Sequence, residues 1–460
     1  MTIQVSPSPI PNSISVDFSS AAVDKDAYLT ELLNRVIAPK TEGWLQEVRQ
    51  RASAFVRCST IPTTREEEWR FTDLSGLRQV QFNNNVETLH ATSLQDDIAL
   101  LTLPEAANSR LVFVNGVYAP ELSSVANLPA GVVVTNLAGL PGDYQERVKH
   151  YLGQAEGTQE VFTALNTAGM NDAAVVWVGK NVIVETPIHL LFVAVVGETA
   201  TILQPRCLVV AETGSSVTLV EDYLNRRGAE KEGVYFTNAV TEIWIGENAQ
   251  VNHTRVERDS VEAFHIGKTA IAQSRYSRYT CNVVTFGGRL SRHNLEILQT
   301  GEQTETTLNG LTMIAENQVA DTHSAIALNY PYGVTKQLQK NIVGDRAHAV
   351  FNGKVFVPKP AQLTDAAQLN RNLLLSSKAR VDTKPQLEIT ADNVKCAHGA
   401  TVSQLEDDEI FYLQSRGIDE NAARNLLINA FAAEIINQIP IPSLRETLTT
   451  AVNKQRATLS

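Results

Sequence analysis

The chain has no run of the roughly 20 apolar residues that a bilayer-crossing helix needs, so no segment reads as a membrane span. Positive charge is also short: 39 Lys and Arg stand against 50 Asp and Glu, a formal net charge of -11. That balance repels phosphate backbones and anionic lipid, which disfavours nucleic acid and membrane surfaces as partners. Cysteine is scarce. Cys58, Cys207, Cys281 and Cys396 are scattered and form no CxxC pair. They read as reduced cytosolic thiols, not as a disulfide framework. The start, MTIQVSPSPIPNSISVDF, has neither a basic n-region nor an apolar h-region, and it lacks the arginines of a transit peptide. The expected location is therefore the cytoplasm, with residues 1–24 a Pro- and Ser-rich flexible tail.

Catalytic signatures are missing too. The chain has no G-x-x-x-x-G-K-[ST] loop, no HExxH, no G-x-S-x-G, no Rossmann glycine fingerprint and no cysteine quartet. ATP hydrolysis, if an assembly containing this chain needs it, must come from a partner. Aromatic residues are only 6% and the acidic residues form no tight cluster. Both disfavour a carbohydrate-cleaving enzyme on a β-helix, the main rival reading.

What is present falls into three regions. Tyr28, Leu29, Leu32, Leu33 and Val36 recur at helical spacing, as do Trp44, Leu45, Val48, Ala52 and Phe55. Thr41 is a candidate cap for the second helix. Residues 25–105 therefore read as a mainly helical domain. From Leu111 the chain turns to short β-branched runs such as AAVVWV and RCLVVAETGSSVTLVEDY. Only the polar stretch Gly142–Gln154 and the segment Thr158–Ala168 interrupt them as candidate helices.

A turn-and-alternation pattern, [GS]-x-x-[AV]-x-[VLA], begins at Gly179, Gly214, Gly246, Gly344 and Ser376, at spacings of 35, 32, 98 and 32 residues. With a degraded copy at Gly310, this implies a period of roughly 30 residues, in the solenoid range. The simplest picture is a coil that turns at the same place each time, over residues 106–402. A β-sandwich with coincidental spacing is the alternative. After that come helices. Ser403 with Glu406 and Ser443 with Glu446 match capping boxes, Asp419 is a third candidate cap, and Gly417 and Pro440 are stops. The fold class expected is mainly β, a solenoid flanked by helical domains, with residues 403–460 the C-terminal one.

Several segments carry a resemblance. TTREEEWRFTDLSGL (Thr63 to Leu77) resembles the N-terminal part of the SufD branch of the SufB/SufD family. LEITADNVKCAHGATVSQLEDDEIFYLQSRGI (Leu387 to Ile418) resembles the C-terminal signature of the whole family. NVIVETPIHL, FGGRLSRHNLEI, TLNGLTMI and VFNGKVFVPKPAQLTDAAQLNRNLLLS look like its body. The likeness extends over nearly the whole chain from about residue 25, and the leading helices look like SufD more than SufB.

The resemblance implies a right-handed parallel β-helix acting as a non-enzymatic scaffold in iron–sulfur cluster assembly. It further implies pairing with SufB through the β-helix and with the ABC-type ATPase SufC through the C-terminal helices, around Phe411, Tyr412, Arg416, Leu427 and Phe431. Iron or a cluster would be held only transiently in the assembled complex, with no cofactor tightly bound to the isolated chain. A homodimer is the expectation when SufB is absent. Cluster type and involvement of a flavin are left open.

Cys396 and His398 are the sharpest candidate ligands. Spaced i, i+2 on a strand, they project from one face, and thiolate with imidazole suits iron and cluster chemistry. Two ligands are too few for a closed site, so a second chain would complete it. On the residues alone, a buried thiol beside a hydrogen-bonded histidine is the plainer reading; the resemblance reverses that order. Asp321 and His323 share the spacing and form a weaker metal candidate, with a polar pair on a solenoid face as the plainer account. Arg289, Arg292 and His293 read as a solvated basic face, Glu66 to Glu68 as the first turn of a helix, and Cys58, Cys207 and Cys281 as core residues.

Overall fold

The computed structural model describes residues 24–36, 43–83, 98, 101–155, 160–225 and 233–456. Residues 1–23 of the expected tail and Thr41 lie outside those residues. The β-branched runs form two sheets, one of 11 strands and one of 10, and from Arg206–Ala211 onward successive strands alternate between them. Strands two apart in sequence therefore stack in parallel, and the chain winds as a solenoid of about seven coils. Phe264 pairs with Leu290 and Ser216 with Gln250, so a coil takes roughly 26 to 34 residues. Alternate residues of each strand point into a shared core that includes Val176, Leu190, Val209, Leu219, Ile243 and Val251.

The corners differ from the simple expectation. Gly179, Gly214 and Gly246 turn the chain from the second sheet into the first, whereas Gly344 and Ser376 turn it from the first into the second. The 98-residue gap is a change of corner. Gly310 is not a corner at all. It lies inside the strand Glu305–Ile314, where a Cβ would sit 1.7 Å from Gln339 Oε1, so the position makes room for an amide of the next coil. One corner does repeat, through backbone geometry. Asn181, Gly214, Asn248, Tyr276, Gln303, Tyr332 and Leu363 all have positive φ. Each donates its N–H to a carbonyl of the following corner, from Thr213 at 2.9 Å to Asn393 at 2.7 Å. Six of these seven residues carry side chains, so a glycine search cannot see the series.

The N-terminal helices Ala27–Val36 and Trp44–Arg57 form where the period predicted. The second starts after Gly43, whose φ of 89 and lack of a side-chain bond make it a backbone turn and not a side-chain cap. These helices have no separate core. Leu29, Leu33 and Trp69 pack with Phe162 of the helix Val161–Gly169 and with Phe236, Phe264 and Leu290 of the solenoid. The helical stretch around Gly142 is the short helix Gly142–Arg147.

At the other end the last strand runs to Gln404, so Ser403 is a strand residue and the next helix, Asp407–Ser415, begins without a side-chain cap. Gly417, at φ 85, stops that helix, and Asp419 caps Glu420–Ile436 through Ala422 N–H. The final helix, Pro442–Arg456, already contains Ser443. Its N-terminus is capped by Glu105, which accepts from Ser443 N–H at 3.1 Å and from the Ser443 hydroxyl. Ile428, Ala432, Ile435, Leu444 and Leu448 of these helices cover the outer face of the first sheet at Val256, Val284, Leu311 and Ile342.

Candidate functional site

The solenoid ends open. The first sheet terminates in Lys395–Gln404 and the second in Arg380–Ile389. No further strand pairs with either among the described residues. The C-terminal helices lie against the outer face and leave this end free. Cys396 and His398 stand on the terminal strand, in register with the buried residues Ala366 and Gln368 of Asp365–Leu374. Cys396 packs against the main core and is half-buried, and His398 is exposed. Both continue the inward-facing set, so the missing next coil is what exposes His398. Burial pushes the Cys396 thiol above its ordinary range, a hydrogen bond from the Ala366 backbone works the other way, and Asp365 adds to the rise.

Asp321 and His323 are brought together on the outer face of the second sheet, with a third group between them. Arg292 Nη1 lies 2.5 Å from Asp321 Oδ2 and 3.1 Å from His323 Nε2, and it donates to the Glu68 carbonyl at 2.8 Å. A guanidinium thus takes the place that a metal ion would need. Thr72 also donates to Asp321, and the Arg292 guanidinium lies 3.8 Å from the centre of the Trp69 ring. Burial favours a neutral Asp321, but Arg292 and then His323 hold its carboxyl down at about 2.

The predicted basic face does not exist as such. Arg292 and His293 are 2% and 3% exposed, and as adjacent strand residues they point to opposite sides of the sheet. Glu66 to Glu68 do not open a long helix either. Glu67 and Glu68 lie in a single helical turn and reach Lys384 at 2.5 Å and His323 at 3.3 Å. The opening segment is a clasp on the solenoid.

A group that sequence reasoning missed lies in the lumen. Glu221, His253, Arg255, Glu257 and His265 are fully buried. His253 sits 2.9 Å from Tyr279 OH, 3.8 Å from Cys281 Sγ and 3.4 Å from Glu221 Oε2. Burial works against its charge, but Cys281 and Glu221 push it up to about 10. Glu257, Asp259 and His265 bring one ligand atom each within 4.8 Å, the one such trio among the described residues. Arg255 bonds Glu257 at 3.1 Å and lies 2.6 Å from His265 Nε2, so an internal cation already balances these carboxylates. The available signal was charge at inward positions of VTLVEDY and VNHTRVE. Cys207 and Cys281 are buried as expected, whereas Cys58 is exposed at a helix end.

On the C-terminal helices, Phe411 is 70% and Tyr412 56% exposed, and Arg416 stacks on the Tyr412 ring at 5.1 Å. Leu427 is half-buried. Phe431 belongs to the packing of the tail, with Lys340 Nζ 3.9 Å above its ring. Leu426, 49% exposed, is the apolar residue on the open side of that helix.

A solenoid with one unpaired end, a thiol and an imidazole at that end, and helices with exposed aromatics defines a binding scaffold. Comparison with known proteins identifies the group. The chain belongs to the SufBD family of the SUF iron–sulfur cluster system: the SufBD core domain matches residues 193–431 and the SufBD N-terminal region matches residues 27–190. It is 49% identical to an iron–sulfur cluster assembly SufBD family protein of Synechocystis, over 94% of this chain and 95% of that one. It is 34% identical to the chloroplastic protein ABCI7 of Arabidopsis thaliana, over 94% and 92%. It is 30% identical to the iron–sulfur cluster assembly protein SufD of Escherichia coli, over 95% and 97%. Among the described residues no helix is long and apolar enough to cross a membrane.

Proposed function

We propose that this chain is a non-enzymatic scaffold subunit of the Suf assembly system. In this reading it joins a SufB-type paralogue through its terminal coil, with Cys396 and His398 offered to iron or a nascent cluster at that junction. It carries a SufC-type ATPase on the exposed side of the C-terminal helices, around Phe411, Tyr412, Arg416 and Leu426. Iron or cluster is cargo of the assembled complex, and the isolated chain holds no cofactor tightly. The proposed compartment is the cytoplasm, which subcellular fractionation checks.

The observation that carries the proposal is the free edge beside the two ligands. Lys395 N–H bonds back to Thr364 at 2.9 Å, so by strand alternation Cys396, His398, Ala400 and Val402 turn their peptide groups outward. Arg380 N–H bonds back to Ala347 at 3.0 Å, which puts Pro385 on the outward set of the other terminal strand. Proline interrupts that second edge, and the first has none. The first edge is the one suited to strand addition by a partner, or by a second copy when the partner is absent.

The test is co-expression with SufB-type and SufC-type partners followed by size-exclusion chromatography, beside a truncation after Leu405. A ternary complex that loses only the ATPase on truncation supports the reading, and a chain that elutes alone in both cases sinks it.

A further inference from the structure

Inward-facing amides lead up the lumen towards the open coil. Gln337, Gln368 and His398 occupy the same register position on Val334–Val343, Asp365–Leu374 and Lys395–Gln404. Gln337 Nε2 donates to Ser324 Oγ at 2.8 Å, and Gln368 Nε2 donates to Gln337 Oε1 at 2.8 Å. Ser324 stands across the lumen and its hydroxyl also reaches Gln337 Oε1 at 3.2 Å, while that same oxygen takes the amide hydrogen of the next rung. The corresponding oxygen of the last amide, Gln368 Oε1, is buried and accepts from no group among the described residues. The residue on the next rung is His398, whose ring always carries at least one N–H.

The amide is held in place from the opposite sheet. A Cβ on Gly353 would lie 2.2 Å from Gln368 Nε2, so only glycine leaves the slot in which Gln368 sits. A buried acceptor with no donor is unfavourable unless some state of the protein supplies one.

We propose that Gln368 is a positioning residue for His398. When the His398 ring turns inward, the Oε1 left free in this structure accepts its N–H, which fixes one neutral tautomer and leaves the lone pair of the other ring nitrogen facing out of the coil for a metal ion or cluster iron. Imidazole ligands work in this way when an acceptor holds their second nitrogen. The inference rests on the reading of His398 as a ligand, and the experiment separates the two.

The full-length chain is labelled with 15N at its histidine rings, its His398 tautomer is read by NMR, and its affinity for Co2+ is measured by competition with a chelator. The wild type is expected to hold His398 in a single neutral tautomer. Gln368→Met, similar in size but without the oxygen, should give mixed tautomers and bind Co2+ about 10-fold or more weakly. Gly353→Ala, which fills the slot from the other sheet, should reproduce Gln368→Met. Co2+ binding that survives His398→Ala overturns the ligand reading itself. Binding lost in His398→Ala but unchanged in Gln368→Met, with the tautomer also unchanged, overturns the positioning role alone. An equal tautomer mixture in the wild type does the same, and that measurement involves no variant that must fold.

Discussion

The clasp between the N-terminal segment and the solenoid should make stability depend on acid in a calculable way. Asp321 is held at about 2 against an ordinary value of 3.8, and it is buried. A folded-state value below the unfolded one contributes stability that is complete above the unfolded value and is lost as pH falls through the folded one. The displacement corresponds to about 2 kcal/mol, present at pH 4 and above and lost towards pH 2. His323 acts at the other limit. Burial opposes its charge, but Asp321 and Glu68 raise its value, so its contribution is complete below the ordinary histidine range and fades as pH rises through the raised value. Urea unfolding of the wild type and of Asp321→Leu across pH 2 to 7 isolates the contribution of Asp321. At pH 7, Arg292→Met should cost ~3–5 kcal/mol, because it strips the guanidinium from a buried carboxylate and leaves it only Thr72 and His323, and adding Asp321→Leu should recover most of that loss. Equal acid slopes for wild type and Asp321→Leu, or a double variant no better than Arg292→Met, would refute the reasoning.

Three further predictions concern the C-terminal helices. Phe431→Asp should destabilise the tail by ~2–4 kcal/mol in thermal unfolding, since it places a carboxylate against the packed face of the first sheet. Phe411→Asp should leave stability unchanged and weaken capture of a SufC-type ATPase in a pull-down; the opposite pattern would exchange their roles. Glu105→Ala should cost about 1 kcal/mol by removing the cap of Pro442–Arg456, read as faster hydrogen exchange in that helix's first turn.

Local features of the chain were legible and distant ones were not. The helices Ala27–Val36 and Glu420–Ile436 follow from apolar spacing, a cap at Asp419 and a stop at Gly417, all within a few residues of one another. Ser443 misled because its real partner, Glu105, is 338 residues away. The coil length was readable, since a turn and alternation recur. Which corner each turn occupies was not, because a tight corner asks the same of the chain on either edge. Arg292 and His293 are adjacent in sequence, and only the pleat reveals that one meets Trp69 outside while the other meets Thr269 inside, at 2.9 Å. The spacing of Cys396 and His398 correctly implied a common face. Their exposure depends on the solenoid ending there, which no single strand encodes.

That ending supplies a last test, in which two adjacent residues should behave oppositely. On Lys395–Gln404 the odd positions bond back to Asp365–Leu374, as Lys395 does, and the even positions turn outward. Proline removes one N–H. At Thr401 it deletes a bond inside the chain, while at Ala400 it deletes only an outward donor. Thr401→Pro should therefore lower the unfolding midpoint of the isolated chain. Ala400→Pro should leave the intrachain ladder intact and reduce association with a SufB-type partner, and with a second copy, in sedimentation velocity. The alternation makes the comparison strict, because the two sites are adjacent on one strand and both are exposed. If both prolines unfold the chain equally, the outward edge is not free. If Ala400→Pro folds and still associates at wild-type affinity, the partner does not add a strand there, and the junction must be made by side chains of the open coil alone.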